Sequence, residues 1–202
     1  MTQTTRGLSA QGLTRLRARS RARTVTCIAA EHSAPELSAT ELRDALGLEP
    51  HPTCGFVRVT YVAGEHIAPG GLPAPFSEGR PAGSALVFMV TPEAPVRLHR
   101  IRNDQLYHRY LGDPLEVLLL YPDGSHGVEV VGSDVTAGQR LQLFLPGGTF
   151  HAARLLRGSW FLGASTEWPG VEPVDVEPGD PSTLCAQFPD AATLIRAFTA
   201  PA

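Results

Sequence analysis

Residues 97–124, RLHRIRNDQLYHRYLGDPLEVLLLYPDG, set two strand-like runs around a GDP turn and close on a PDG turn. QLYHRYL (105–111) and LEVLLLY (115–121) are rich in aromatic and aliphatic residues, and the glycine and proline signals beside them mark chain reversals. Comparable runs lie on both sides: FVRVTYV (56–62), SALVFMVT (84–91), GVEVVG (127–132), LQLFL (141–145) and SWFLGAST (159–166). No helical period intervenes between them. Short strands with regular turn signals predict an all-β sandwich or barrel.

Helical patterning returns only at the ends of this region. In ELSATELRDALGLEPHP, Ser38 and Glu41 have capping-box spacing, Leu42 and Leu46 share a face, and Gly47 suits the C′ position ahead of Pro50. In FPDAATLIRAF, Asp190 is the expected N-cap, with Leu194, Ile195 and Phe198 facing inward. The organisation that follows is a basic, flexible extension over 1–35 and one folded domain over 36–202. Within that domain, the segment 63–83, AGEHIAPGGLPAPFSEGRPAG, exceeds a tight turn and reads as a lid over the mouth of the barrel.

Charge separates the two parts. All 17 basic residues are arginine, and six of them (Arg6, Arg15, Arg17, Arg19, Arg21, Arg23) crowd into the first 30 residues, which hold no acid. The rest of the chain sets eleven arginines against 20 acids, a balance that argues against a nucleic-acid surface on the folded domain. The arginine-rich head lacks the apolar centre of a secretory signal, and no run is long and apolar enough for a membrane span. Three widely spaced cysteines (Cys27, Cys54, Cys185) match neither a disulfide framework nor a zinc cluster, so a cytoplasmic location is expected.

Two spacings carry the chemistry. His99, five residues, Gln105, six residues and Gly112 form the first, and Pro146-x-Gly148-x-x-His151 forms the second. They resemble the two motifs of the cupins. Taken with LEPHPTCGFVRVTY, GRPAGSALVFMV, AGQRLQLFLPGGTFHAA and FPDAATLIRAF, the chain resembles the DUF985 (Cupin 5) family over about residues 36–199. That resemblance implies a double-stranded β-helix, a jelly-roll sandwich with short N- and C-terminal helices, that forms a homodimer. It also implies kinship with predicted sugar-epimerase-like cupins. The apolar strand SALVFMVT, too broad for one short helix to cover, supports the dimer.

The departures from the family pattern bear on the reaction. Thr53, Cys54 and Val59 stand where the family usually has an acid, a glycine and a second acid, and Gln105 stands where it has a glutamate. Conversely, His151 replaces the family's common glutamine with the histidine typical of metal-binding cupins. His99, Gln105 and His151 therefore make a reduced ligand set for one divalent metal ion (iron, nickel or manganese), with Ile101 at the usual second-histidine position. The competing reading is a metal-free pocket in which His99 and His151 act as acid and base, supported by Tyr107.

Around that centre, Gln105, Arg58 and Arg109 are the expected substrate contacts, a guanidinium being suited to a carboxylate or phosphate. His108 reads as a satisfied histidine on the opposite face from Gln105 unless a bulge intervenes, and His51 as a structural cap before Pro52. No Gly-x-Gly-x-x-Gly follows a strand and no Gly-x-Ser-x-Gly occurs, which disfavours hydride and acyl transfer. The expectation is a small-molecule isomerase, epimerase or cyclase of specialised metabolism. The alternatives are a metal-dependent cupin oxygenase and a non-catalytic metabolite-binding cupin.

Overall fold

The computed structural model describes residues 37–200, so the flexible extension expected over 1–35 lies outside the described residues. Helix α1 (Ala39–Leu46) begins at the predicted capping box: Ser38 Oγ accepts from the Glu41 amide, and the Glu41 carboxylate accepts from the Ser38 amide. It ends at Gly47, whose φ of 61° is the left-handed C′ conformation that glycine adopts without steric cost. The strands that follow are β1 (Glu49–Pro50), β2 (Phe56–Val62), β3 (His66–Ile67), β4 (Arg80–Pro81), β5 (Ser84–Val90), β6 (Val96–Ile101) and β7 (Asp104–Gly112). After them come β8 (Leu115–Leu120), β9 (His126–Val131), β10 (Gln142–Leu145), β11 (Phe150–Leu155), β12 (Phe161–Trp168) and β13 (Val176–Pro178), then helices α2 (Pro181–Gln187) and α3 (Ala192–Thr199).

These strands build two facing antiparallel sheets. One has the order β1-β2-β5-β12-β7-β10 and the other β13-β6-β11-β8-β9, with β3 and β4 paired apart from both. The expected all-β jelly roll with short helices at either end is therefore the architecture found. Between the sheets lies a core of Phe88, Tyr107, Val117, Leu119, Leu145 and Phe161. Each buried aliphatic or aromatic side chain of that kind stabilises the sandwich by roughly 1.5–3 kcal/mol. Outside the second sheet, α2 and α3 seal Leu98, Leu118, Leu120 and Phe150 with Leu184, Phe188, Ile195 and Phe198. Outside the first, Leu42 and Leu48 cover Met89 and Leu162.

Several local expectations change. Asp190 sits in a 3-10 turn (Pro189–Ala191) rather than capping a helix, and α3 starts from Ala191 with no side-chain cap. The inward set Leu194, Ile195 and Phe198 does pack against the second sheet. A second helix, α2, begins at Asp180, whose side chain accepts from the Thr183 amide. The segment 63–83, read from the sequence as a lid, holds the β3–β4 pair and is fastened at Arg80. Arg80, buried, forms a bidentate ion pair with buried Asp175 at 3.1 and 2.9 Å, with its guanidinium also over the Phe76 ring.

β7 carries the feature that orients the interior. Along β12 the partners run Ser165 to Tyr107 and Gly163 to Arg109, but Leu162 meets Leu111, so Tyr110 is an extra residue, a bulge. Strict alternation would have kept Leu111 on the face of Tyr107. Instead Leu111 pairs with Leu162, which packs on the α1 side of the sheet.

Candidate functional site

β6 and β11 are neighbours, and their register sets His99 directly opposite His151. Both imidazoles are buried between the sheets, with ring centroids 4.3 Å apart and planes inclined by 54°. Each ring turns its Nδ1 to a carbonyl two residues back: His99 to Arg97 at 2.7 Å, His151 to Thr149 at 3.3 Å. A carbonyl only accepts, so Nδ1 carries the proton in both neutral rings, and each Nε2 presents a lone pair to the interior.

Each lone pair already meets a proton donor. Tyr107, from β7 in the facing sheet, donates its hydroxyl to His151 Nε2 at 3.0 Å. The Cys54 thiol reaches His99 Nε2 at 3.8 Å, a sulfur hydrogen bond. Cys54 comes from the turn before β2 and is held beside β6 by a bridge to Val96. The next residue, Gly55, allows this approach: its φ is 65°, and a Cβ there would collide with the carbonyl oxygens of Met89 and Ala94.

Burial fixes the protonation of this cluster. It pushes His99 down to about 4 and His151 well below the ordinary histidine value, with the neighbouring imidazole adding to the second effect. It pushes the Cys54 thiol up to about 11 and the Tyr107 phenol well above its usual value. At neutral pH the arrangement is thus thiol, imidazole, imidazole, phenol, none of them charged.

Adjoining rows of the same inward face add polar groups. Ser165 lies opposite Tyr107 in the register of β12, and Glu167 lies opposite Gln105. Glu167 is buried, accepts from Ser84 Oγ at 2.6 Å, and is raised above the ordinary carboxylate range by burial. Gln105 is buried beside it. Neither Cys54 nor Glu167 was expected in the site. The departure from glycine at Cys54 was one available signal. The other was strand parity, which places Glu167 in the inward set with Phe161, Gly163 and Ser165.

Other residues named from the sequence do not join the cluster. Arg58 pairs with Val87, on the face that packs toward α1, and so points away from the interior. The Arg109 guanidinium donates through its terminal nitrogens to the Tyr110 and Gly112 carbonyls of its own strand end, while its Nε is buried without a partner. His108 lies on the outer face between Thr166 Oγ1 and Gln142 Nε2, each at 2.9 Å, with burial lowering its pKa. His51 Nδ1 accepts from the Thr53 amide at 3.3 Å, the geometry of a local cap, and burial lowers its pKa too. Two surface hollows, about 880 and 370 Å3, lie elsewhere and are lined by none of the four clustered side chains.

The donor set does not fit a cupin metal centre. Ile101 and Gln105 replace two of the usual ligands, Tyr107 occupies the lone pair of His151, and no three His, Cys, Asp or Glu groups among the described residues are placed to hold a metal ion.

Two facing antiparallel sheets that bring histidines from adjacent strands into their shared interior define a protein of the cupin class. The chain belongs to the Cupin superfamily (DUF985) family, whose model matches residues 40–178. A hypothetical protein from Leishmania major superposes with a TM-score of 0.73 at 22% identity, covering 80% of this chain and 98% of its own. A Shewanella oneidensis protein superposes with a TM-score of 0.72 at 22% identity, over 82% of this chain and 99% of its own. These likenesses are of fold. No curated protein matches the chain. No helix among the described residues is long and apolar enough to cross a membrane.

Proposed function

We propose that the chain is a small-molecule enzyme of the isomerase or epimerase type that moves protons within the sandwich interior, without a metal. The observation that carries this reading is the buried hydrogen bond from Tyr107 Oη to His151 Nε2 at 3.0 Å. As a substrate carbon–hydrogen bond breaks, His151 Nε2 takes that proton while the Tyr107 hydroxyl gives its own to the developing oxyanion. The imidazolium then returns a proton to the phenolate, a cycle that needs no resting charge. His99, packed at a tilt against His151 and joined to the Cys54 thiol, extends the set of proton carriers on the same side. Gln105 supplies an amide donor and acceptor for the substrate. The reading includes a homodimer, formed through the outer face of the first sheet, and a cytoplasmic setting.

Deuterium uptake tests it. Small hydroxy-carbonyl and amino compounds are incubated with the protein in heavy water, and carbon-bound exchange is followed by proton NMR. Enzyme-dependent exchange that falls by about two to four orders of magnitude in Tyr107→Phe is expected. Exchange undiminished in that variant would remove Tyr107 from the chemistry, and no exchange with any compound would refute the reading.

One observation favours a second reading, a non-catalytic metabolite-binding cupin. Burial holds both imidazoles neutral and both the phenol and thiol protonated, a resting state equally suited to hydrogen-bonding a ligand that leaves unchanged. A metal-dependent oxygenase would rest on two imidazoles and an amide alone.

A further inference from the structure

Among the described residues two carboxylates are deeply buried, and they are treated differently. Asp175 is matched by Arg80 in a two-point ion pair, also buried. Glu167 has only hydroxyl neighbours, Ser84 at 2.6 Å and Ser165 beside it, and no arginine or histidine among the described residues forms an ion pair with it. A carboxylate withdrawn from water is costly unless a counter-charge meets it.

The surroundings supply no such charge. The two histidines of the interior are neutral, Arg58 faces α1, and Arg109, two inward positions along β7 from Gln105, turns its terminal nitrogens to backbone carbonyls at the far end of the strand. The neighbouring polar groups are open to a ligand. Ser165 Oγ, on the adjoining inward row, is buried and lacks a hydrogen-bond partner, and no side-chain partner engages Gln105.

There is also a way in. Val59 pairs with Leu86 and Val62 with Ser84, so both valines face the interior, yet they are 60% and 53% exposed. Beyond Val57, where its short pairing with β1 ends, β2 is the edge of the first sheet, and its inward-facing side chains in contact with water mark the side on which the sandwich opens. The row from Val62 through Ser84 to Glu167 and Gln105 leads inward from that edge.

We propose that this interior takes a small organic cation, an amine or quaternary ammonium compound, with Glu167 as its counter-ion and Gln105 and Ser165 as its polar contacts. The inference rests on the reading above that the interior is the ligand site, and it names the ligand class. Phosphorylated and carboxylated compounds are excluded by the same charge.

The test uses the full chain and a matched panel: ethanolamine, choline and glucosamine against ethylene glycol, glucose and glucose 6-phosphate. At about 10 mM, at least one cation is expected to raise the melting temperature by about 2 °C or more, with neutral and anionic compounds inert. Titration calorimetry should show that cation binding weakens by about thirtyfold or more in Glu167→Gln and persists in Tyr107→Phe. Silence of all three cations, an equal response to neutral or anionic compounds, or an undiminished response in Glu167→Gln would overturn the proposal. The panel on the unaltered chain decides even where the variant fails to fold. Cation binding without deuterium exchange would remove the acid–base reading and leave this inference standing; exchange confined to neutral compounds would do the reverse.

Discussion

Tyr107 and His151 meet across the sandwich, 44 positions apart in the chain, with the phenol hydroxyl 3.0 Å from an imidazole nitrogen that nothing else occupies. Removing the hydroxyl leaves a buried lone pair without a donor, which costs about 1–3 kcal/mol of stability on its own. Tyr107→Phe should therefore lower both the melting temperature and any exchange activity. His151→Phe, which fills the space but leaves the Tyr107 hydroxyl without an acceptor, should lose activity with a smaller stability loss than His151→Ala, which leaves a void as well. Chemical denaturation of the three variants checks the order.

The two histidines make the fold acid-sensitive. Their pKa values are depressed in the folded state, so between the unfolded value of 6.5 and about 4 the unfolded chain binds protons that His99 in the native chain refuses. Stability is then fully present above about pH 6.5 and falls as pH drops through that window. For His99 the loss is on the order of 3 kcal/mol, and His151 adds in the same direction. Glu167 works oppositely: its raised pKa contributes stability at low pH that is lost as pH rises through its folded value. Melting curves from pH 4 to 8 should show the histidine slope in the native chain and a shallower one in His99→Gln.

Gln105→Glu would restore the carboxylate usual in the family, but directly opposite Glu167 in the β7–β12 register. Two buried acids at that spacing repel. The variant should lose on the order of 1–3 kcal/mol at pH 8, less at pH 5, and Gln105→Glu combined with Glu167→Gln should recover most of it. A double-mutant cycle by urea denaturation at both pH values gives the coupling; a value near zero at pH 8 would show that the two side chains diverge.

Breaking the Arg80–Asp175 pair has a different signature. Asp175→Asn leaves the buried guanidinium with only the more exposed Glu78 and Glu172 carboxylates, each at 3.7 Å, and should cost about 3 kcal/mol, whereas Arg80→Met with Asp175→Leu should cost far less. Proteolysis within 63–83 should accelerate in the single variant, since this pair fastens the segment to the chain after β12.

Association follows from exposed side chains. Tyr61, Leu111 and Phe144 are each more than half exposed and lie on the outer face of the first sheet. Light scattering should report a homodimer, and Phe144→Asp should shift it to monomer. The apolar strand SALVFMVT contributes less than its composition suggested, because α1 covers Met89 at one end.

The strands that alternate were legible in the sequence; the two that carry the histidines were not. β6 and β11 have both faces covered, His151 and Ala153 by the sandwich, Phe150 and Ala152 by the C-terminal helices, so no polar face breaks their pattern. Motif spacing located His99 and His151 where periodicity was silent. Cys54 and Glu167 belonged to no spacing, because tertiary bridges at Val96 and the pairing of β12 bring them in. Arg58 was misplaced for a related reason: residue type suggested a binding role, while strand pairing decided its side.

The bulge at Tyr110 divides one strand into two frames. From Asp104 to Arg109, odd positions face the interior of the sandwich and even ones the outer surface; from Leu111 onward the assignment is exchanged. A substitution scan along β7 would thus show a two-residue rhythm that skips a beat at Tyr110. Deleting that single residue would remove the bulge and leave Leu111 directly after Arg109, still opposite Leu162 on the outer face, so the apolar patch and self-association through it should survive the change.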